Sequence, residues 1–335
     1  MTVQNQKPDM WQLSDRLIYI IPFFLVMQYQ FVSGQDIPVY NQYFSDYSLI
    51  CDALTGKDNC YSIDITDMHQ WLGINGAPNT QAIHLTGQFA SSEKHTTSYH
   101  GLGIMLARDI NGPYSALRFS GTYSFHILLS ENRKLHLSFA ISPSCTQNIL
   151  DQGNFYNLNN DPVITGRQIT AWNPNAGISA AIYNSVYFAG AGVTGLFSPA
   201  SYLSDPVETD LNRRQYMFIA GYRFYNLQHN LILEPSAVFR MNEIIFKQAD
   251  LNLKVFYKDF LWSGLSYRHN LDIAPGSTSD ILPAIGIFIK NLQISYAFDI
   301  SFRNLENRSN GSHYIYLAWK LCKAGKGSLP CPVFK

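Results

Sequence analysis

Charge is scarce in this chain. Charged residues make up 14% of its 335 positions, where soluble globular proteins carry about 25%. That is too little to clothe a fully water-facing surface. Lys plus Arg equals Asp plus Glu at 24 each, so no basic field points to nucleic acid. Long apolar runs are missing as well. A mean hydropathy of −0.08 excludes a polytopic helical membrane protein, which needs several runs of about 20 apolar residues. The one short candidate, 17–32, follows Arg16 and is interrupted by Pro22, Gln28 and Gln30. Small residues at Val32-Ser33-Gly34 make 1–34 read as a secretory signal peptide, with Gln35 as the mature N-terminus. Asp9 and Asp15 offset Lys7 and Arg16 in its n-region, and Met10 offers a second start. A buried N-terminal helix is the other reading.

Catalytic and metal signatures are also absent. The sequence has no G-x-S-x-G, P-loop, H-E-x-x-H or G-x-G-x-x-G, so neither an enzyme nor a cofactor is expected. Five cysteines (Cys51, Cys60, Cys145, Cys322, Cys331) never form C-x-x-C, which weakens zinc and redox readings. In an oxidising envelope, Cys51 with Cys60 and Cys322 with Cys331 are near enough in sequence to pair locally, leaving Cys145 over. Unpaired buried thiols are the alternative.

Aromatics and alternation are what the sequence has. Aromatic residues reach 14%, with 21 Tyr and 21 Phe, which suits a surface meeting lipid and its two water interfaces. Leu117, Phe119, Tyr123, Phe125 and Ile127 alternate with Arg118, Ser120, Thr122, Ser124 and His126. Leu251, Leu253, Val255 and Tyr257 alternate with Asn252, Lys254 and Phe256. Each such segment has one apolar and one polar face. A sandwich would explain alternation too, but many segments run ~9–11 residues, the span of a tilted membrane strand. Fourteen segments emerge: 60–71, 80–89, 99–108, 115–128, 134–143, 176–183, 186–196, 215–225, 231–240, 247–257, 261–268, 283–289, 292–300 and 312–321. Long and short links largely alternate, as periplasmic turns and extracellular loops do. The longest are 144–175 and 197–214, with Asn184-Ser185 and Lys290-Asn291 as tight turns. The expected fold is an all-β, antiparallel outer-membrane barrel over 60–321. A periplasmic segment or plug precedes it at 35–59, and a periplasmic tail follows at 322–335.

Inside such a barrel, His84, His126, His136, Arg118, Lys254 and Asp299 take lumen-facing positions. They line a water-filled pore or pair across it. Ser124 and His126 together raise a lipid hydrolase, which their inward series argues against. The segment Trp71-Leu72-Gly73-Ile74-Asn75-Gly76-Ala77-Pro78 joins the first two strands. It reads as a rigid hairpin with an interface tryptophan, or as a partner-binding element.

The ordered motifs resemble the PorP/SprF family of type IX secretion and gliding proteins from Bacteroidota. Tyr40-Asn41-Gln42-Tyr43-Phe44 is similar to its start, and Gln70 through Pro78 with Thr80-Gln81 is similar to its Q-W-V-G-I-x-G-A-P-x-T-Q hallmark. Gly101-Leu102-Gly103 with Asp109 and Gly112-Pro113, Asn175-Ala176-Gly177-Ile178, Gly221-Tyr222, Gly264 through Arg268, Ser295 through Asp299 and Gly311-Ser312-His313 continue the series to about residue 321. The family's N-P-A-Y-A-G stretch is replaced by 51–56, and Tyr314 stands where a Glu is usual. The resemblance implies a fourteen-stranded barrel in the outer-membrane lipid, without catalysis. It implies partners among the periplasmic ring proteins or the C-terminal domain of a large secreted adhesin. A porin is the alternative from another class.

Overall fold

The computed structural model describes residues 41–90, 98–154, 166–197, 214–226, 228–242, 247–258, 260–271, 279–301 and 309–322. Fourteen antiparallel strands form one closed sheet. They are β1 (Cys60–His69), β2 (Asn79–Ala90), β3 (Ser98–Asn111), β4 (Tyr114–Ser130), β5 (Leu135–Asp151), β6 (Gln168–Tyr183) and β7 (Tyr187–Thr194). The rest are β8 (Gln215–Tyr222, resumed at Phe224–Asn226), β9 (Leu231–Asn242), β10 (Lys247–Tyr257), β11 (Leu261–Asn270), β12 (Ser279–Ile289), β13 (Leu292–Ser301) and β14 (Ser312–Cys322). Every strand pairs with the next, and β14 pairs back onto β1 from Cys60↔Cys322 to His69↔His313. Closure leaves no unpaired edge, the condition for placing strands in hydrocarbon.

Burial follows the alternation. On β10, Leu251 is 60% exposed and Leu253 44%, while Asn252 and Lys254 between and beyond them are 5% and 4%. The greasy face is therefore outside and the polar face inside, the inverse of a soluble sandwich. All fourteen expected segments fall on strands, with one large boundary error. The expected loop 144–175 is mostly strand, because β5 continues to Asp151 and β6 begins at Gln168. Alternation fails as a guide there because both faces are polar or proline-bearing: Pro143, Cys145, Gln147 and Pro174 point outward beside inward Ser144, Thr146 and Asn148. The connecting loop is 152–167. At the other boundary, Trp71 leaves β1 and turns at φ 47°.

The cysteines also differ from the local pairing. Cys60 is bonded to Cys322 across the β1–β14 seam, and Cys51 and Cys145 are free. Barrel closure makes Cys60 and Cys322 register partners despite a sequence separation of 262, whereas the plug carries Cys51 away into the lumen. Cys331, the tail and the signal region lie outside the described residues.

Two measurements follow. Leu253→Arg places a cation in the lipid belt and should lower stability by about 2–4 kcal/mol in urea unfolding from vesicles. Cys60→Ser with Cys322→Ser should lower it by up to about 5 kcal/mol, given the length of the loop the bond closes.

Candidate functional site

The lumen is occupied by the chain itself. Three 3-10 turns, Asn41–Phe44, Tyr47–Leu49 and Asp52–Leu54, sit inside the end of the barrel that holds Cys60 and Cys322. We call this the plug end, and the opposite end the loop end. The Asp46 carboxylate accepts from Ser48 N at 2.9 Å and caps the second turn. Burial raises the Asp46 carboxyl, but the Lys57 and Lys320 cations and the Ser48 N–H outweigh it and hold it below the usual carboxylate range. Its stabilisation is therefore present above that range and lost only as pH falls through the lowered value.

Aromatic side chains fix the plug to one wall. Tyr43 donates to Asp250 at 2.7 Å, and Tyr47 donates to Glu234 at 3.0 Å. Asp250 also receives Arg240 at 2.6 Å and Arg268 at 3.1 Å; Glu234 receives Arg223 at 2.5 Å and faces Lys254 at 3.6 Å. The Lys254 ammonium stands 5.0–5.4 Å from the ring centres of Phe44, Tyr47, Phe256 and Trp262. Desolvated cation–π contacts reach about 2 kcal/mol or more. Tyr43, Tyr47, Cys51, Ala53 and Leu54 pack with Tyr183, Phe188, Met217, Ile219 and Val238 in one apolar cluster. These inward apolar residues are absent from the sequence reading, which treated the whole inner face as polar. Their signal was available: large apolar residues at inward parity on the strands.

The opposite wall holds the plug by its backbone. Ser124 Oγ donates to Thr55 O at 2.7 Å, and His126 Nε2 lies 2.9 Å from the same oxygen. Ser138 Oγ donates to Ala53 O at 2.7 Å. Tyr183 OH meets His126 Nδ1 at 2.6 Å. With Nδ1 accepting from Tyr183, Nε2 carries the proton given to Thr55 O and is no base for Ser124. Ser124 and His126 are both fully buried, so this pair serves the plug. Close approach requires glycine on both walls: a Cβ at Gly101 on this side would collide with Thr55 O, and one at Gly264 on the aromatic side with the Phe44 ring. Of the other lumen-facing residues, His84 lies 3.8 Å from Asp64, His136 stacks on Tyr183, and Asp299 accepts from Tyr314 at 3.0 Å. Arg118 faces the lumen on β4.

The hallmark segment lies at the loop end, where it ties three connections together. Leu72 N donates to Gly311 O at 2.9 Å and Asn310 N to Leu72 O at 2.7 Å. Gly112 N donates to Gly76 O at 2.9 Å, and Gln70 N to Pro78 O at 2.9 Å. Gly73 and Gly76 hold φ 96° and 74°. The knot leaves Leu72 exposed and Trp71, Ile74 and Ala77 half-buried, with Pro78 buried.

A closed sheet with a lipid-matched outer face, a bonded seam and a filled lumen defines an outer-membrane β-barrel with an internal plug. The chain belongs to the PorP/SprF family: the model for "Type IX secretion system membrane protein PorP/SprF" matches residues 32–319. It is thus an outer-membrane protein of type IX secretion, associated with that machinery. No curated protein matches the sequence. Among solved structures it is similar to a Pseudomonas aeruginosa FadL homologue at 11% identity, covering 86% of this chain and 97% of that one with TM-score 0.47. It is also similar to Omp33 of Acinetobacter baumannii (11%, 79% and 100%, 0.44) and to Haemophilus ducreyi BamA lacking POTRA domains 1–3 (7%, 78% and 70%, 0.45).

Cys51 reports on plug docking. It is fully buried, and burial, followed by the Asp52 charge, pushes its thiol up to about 12. In a Cys145→Ser, Cys331→Ser background it should resist maleimide at neutral pH. Asp250→Ala strips Tyr43 and two arginines of their shared acceptor. It should cost about 3–5 kcal/mol and expose Cys51 to labelling, as should Gly264→Leu.

Proposed function

We propose that this barrel is a non-enzymatic docking scaffold of type IX secretion and gliding. It holds a secreted surface adhesin by its C-terminal domain, the periplasmic ring components, or both. The observation that supports this reading is the occupied lumen. A barrel whose interior is packed with its own chain, and whose seam is bonded, offers its two end faces and its outer wall for work. The alternative porin reading needs an open path, and residues 43–55 block one end of it with buried aromatics, carboxylates and arginines.

With the strand termini in the periplasm, the loop end faces outward. Cargo then meets the knot of Trp71, Leu72, Gly73, Ile74, Gly76, Ala77 and Pro78, together with loop 152–167. The backbone ties of the knot pre-organise its apolar side chains, which lowers the ordering cost of binding. The plug end faces the ring, and the 322–335 tail extends from it.

Leu72→Asp with Ile74→Asp changes side chains while leaving the backbone ties of the knot. If cargo docks there, retention in a pull-down from envelopes should fall on the order of 30-fold, the scale of one interface hot spot. Unchanged retention, with loop 152–167 deleted as well, sinks outward docking. In planar bilayers the intact protein should be electrically silent, and deletion of 41–58 should give channels. Large steady channels from the intact protein would favour the porin reading.

A further inference from the structure

The chain has no net charge. At the plug end, the described turns carry Arg133, Lys134, Lys258 and Lys290 against one acid, Glu131.

All three lysines occupy backbone that disfavours them. Lys134, Lys258 and Lys290 sit at φ 46°, 50° and 54°, the left-handed region where a Cβ crowds the carbonyl and glycine or asparagine is usual. Loop-end turns meet the same need mostly with glycine, at Gly73, Gly76, Gly112 and Gly311, with Trp71 the non-glycine among them, and the plug-end turn at Asn230 uses asparagine. Lysine therefore stands at the plug end in the kind of position that glycine fills at the other.

The neighbours of these lysines indicate what they meet. Leu129 precedes the Lys134 turn, Tyr257 and Phe260 flank Lys258, and Ile289 and Leu292 flank Lys290; all five are exposed large apolar side chains on the lipid face. Lys258 Nζ lies 5.1 Å from the Tyr257 ring. Each ammonium thus leaves the backbone at the rim of the apolar belt, at headgroup height. The three turns join β4–β5, β10–β11 and β12–β13, so Lys134 stands well apart from the neighbouring Lys258 and Lys290. One small docked patch would not span all three, whereas lipid headgroups border every strand of a barrel.

We propose that Lys134, Lys258 and Lys290 form an anionic-phospholipid collar at the plug end. Their charges bind headgroup phosphates of the surrounding leaflet. Glycine at these positions would provide the turn without the cation.

The test uses the full-length protein purified in neutral detergent, with phosphatidylglycerol and phosphatidylcholine as probes. Lipids retained at increasing salt are counted by native mass spectrometry. The comparison variant is Lys134→Gly, Lys258→Gly, Lys290→Gly, which relieves the left-handed backbone and should melt no lower than the parent. The parent should retain phosphatidylglycerol over phosphatidylcholine, less so as salt rises. The variant should lose about fivefold of that preference per lysine, somewhat over a hundredfold for three. Equal retention of both lipids by the parent, or an unchanged preference in a folded variant, overturns the proposal. So does lysine-dependent capture of an acidic envelope protein without any lipid preference, which would make the collar a protein site.

Discussion

Hydrocarbon supplies no partner for a backbone N–H or C=O, so a sheet crossing it must close. Everything else here follows from that closure. Fourteen strands enclose more space than their own side chains fill, and half of every strand faces that space. Inward Asp250, Glu234, Arg240, Arg268 and Lys254 must be hydrated or paired. The plug answers both demands, bringing bulk to the lumen and phenols to the carboxylates. It also adds two rings, Phe44 and Tyr47, to the Phe256 and Trp262 that the wall already sets around the Lys254 ammonium. The plug is thus the interior of the barrel in the sense that a core is the interior of a globular domain.

Strand number, strand faces and barrel class were legible in the sequence, because outward side chains must be apolar wherever lipid touches them. Leu251 and Leu253 could be read without knowing their neighbours. Legibility ended where that constraint ended. Beyond the lipid belt, β5 and β6 continue with polar or proline residues on both faces, so 144–175 read as a loop. The seam disulfide was illegible for another reason: Cys60 and Cys322 become neighbours only after the sheet closes. The plug left a weak trace, since 3-10 turns have no long periodicity. Its signature lay on the strands instead, in Phe188, Met217, Ile219 and Trp262, which point the wrong way for a wet pore.

The glycines that carry the family resemblance now have separate physical reasons. Gly101 and Gly264 are flat places on the inner wall where plug atoms lie against the backbone. Gly76 and Gly112 meet at the loop end, and Gly311 receives Leu72 there, tying connections that are far apart in sequence. One set belongs to the interior and the other to the loop end. A motif that looks continuous along the chain therefore serves two ends of the molecule.

Plug and seam share a residue, and this constrains how the lumen could ever open. Cys60 ends the plug, begins β1 and is bonded to Cys322. Moving the plug therefore cannot unzip the β1–β14 seam, because the segment is anchored at that bond. Contacts near the anchor, at Thr55 and Ala53, are hydrogen bonds that the plug's own backbone carbonyls accept from Ser124 on β4 and Ser138 on β5. Those far from it, at Tyr43, Phe44 and Tyr47, hold the ion pairs and rings of β9, β10 and β11. The strongest grip thus lies far from the anchor, where a given swing moves the segment farthest. Any displacement must break the carboxylate and cation contacts before it gains clearance, so the barrel is built to stay shut.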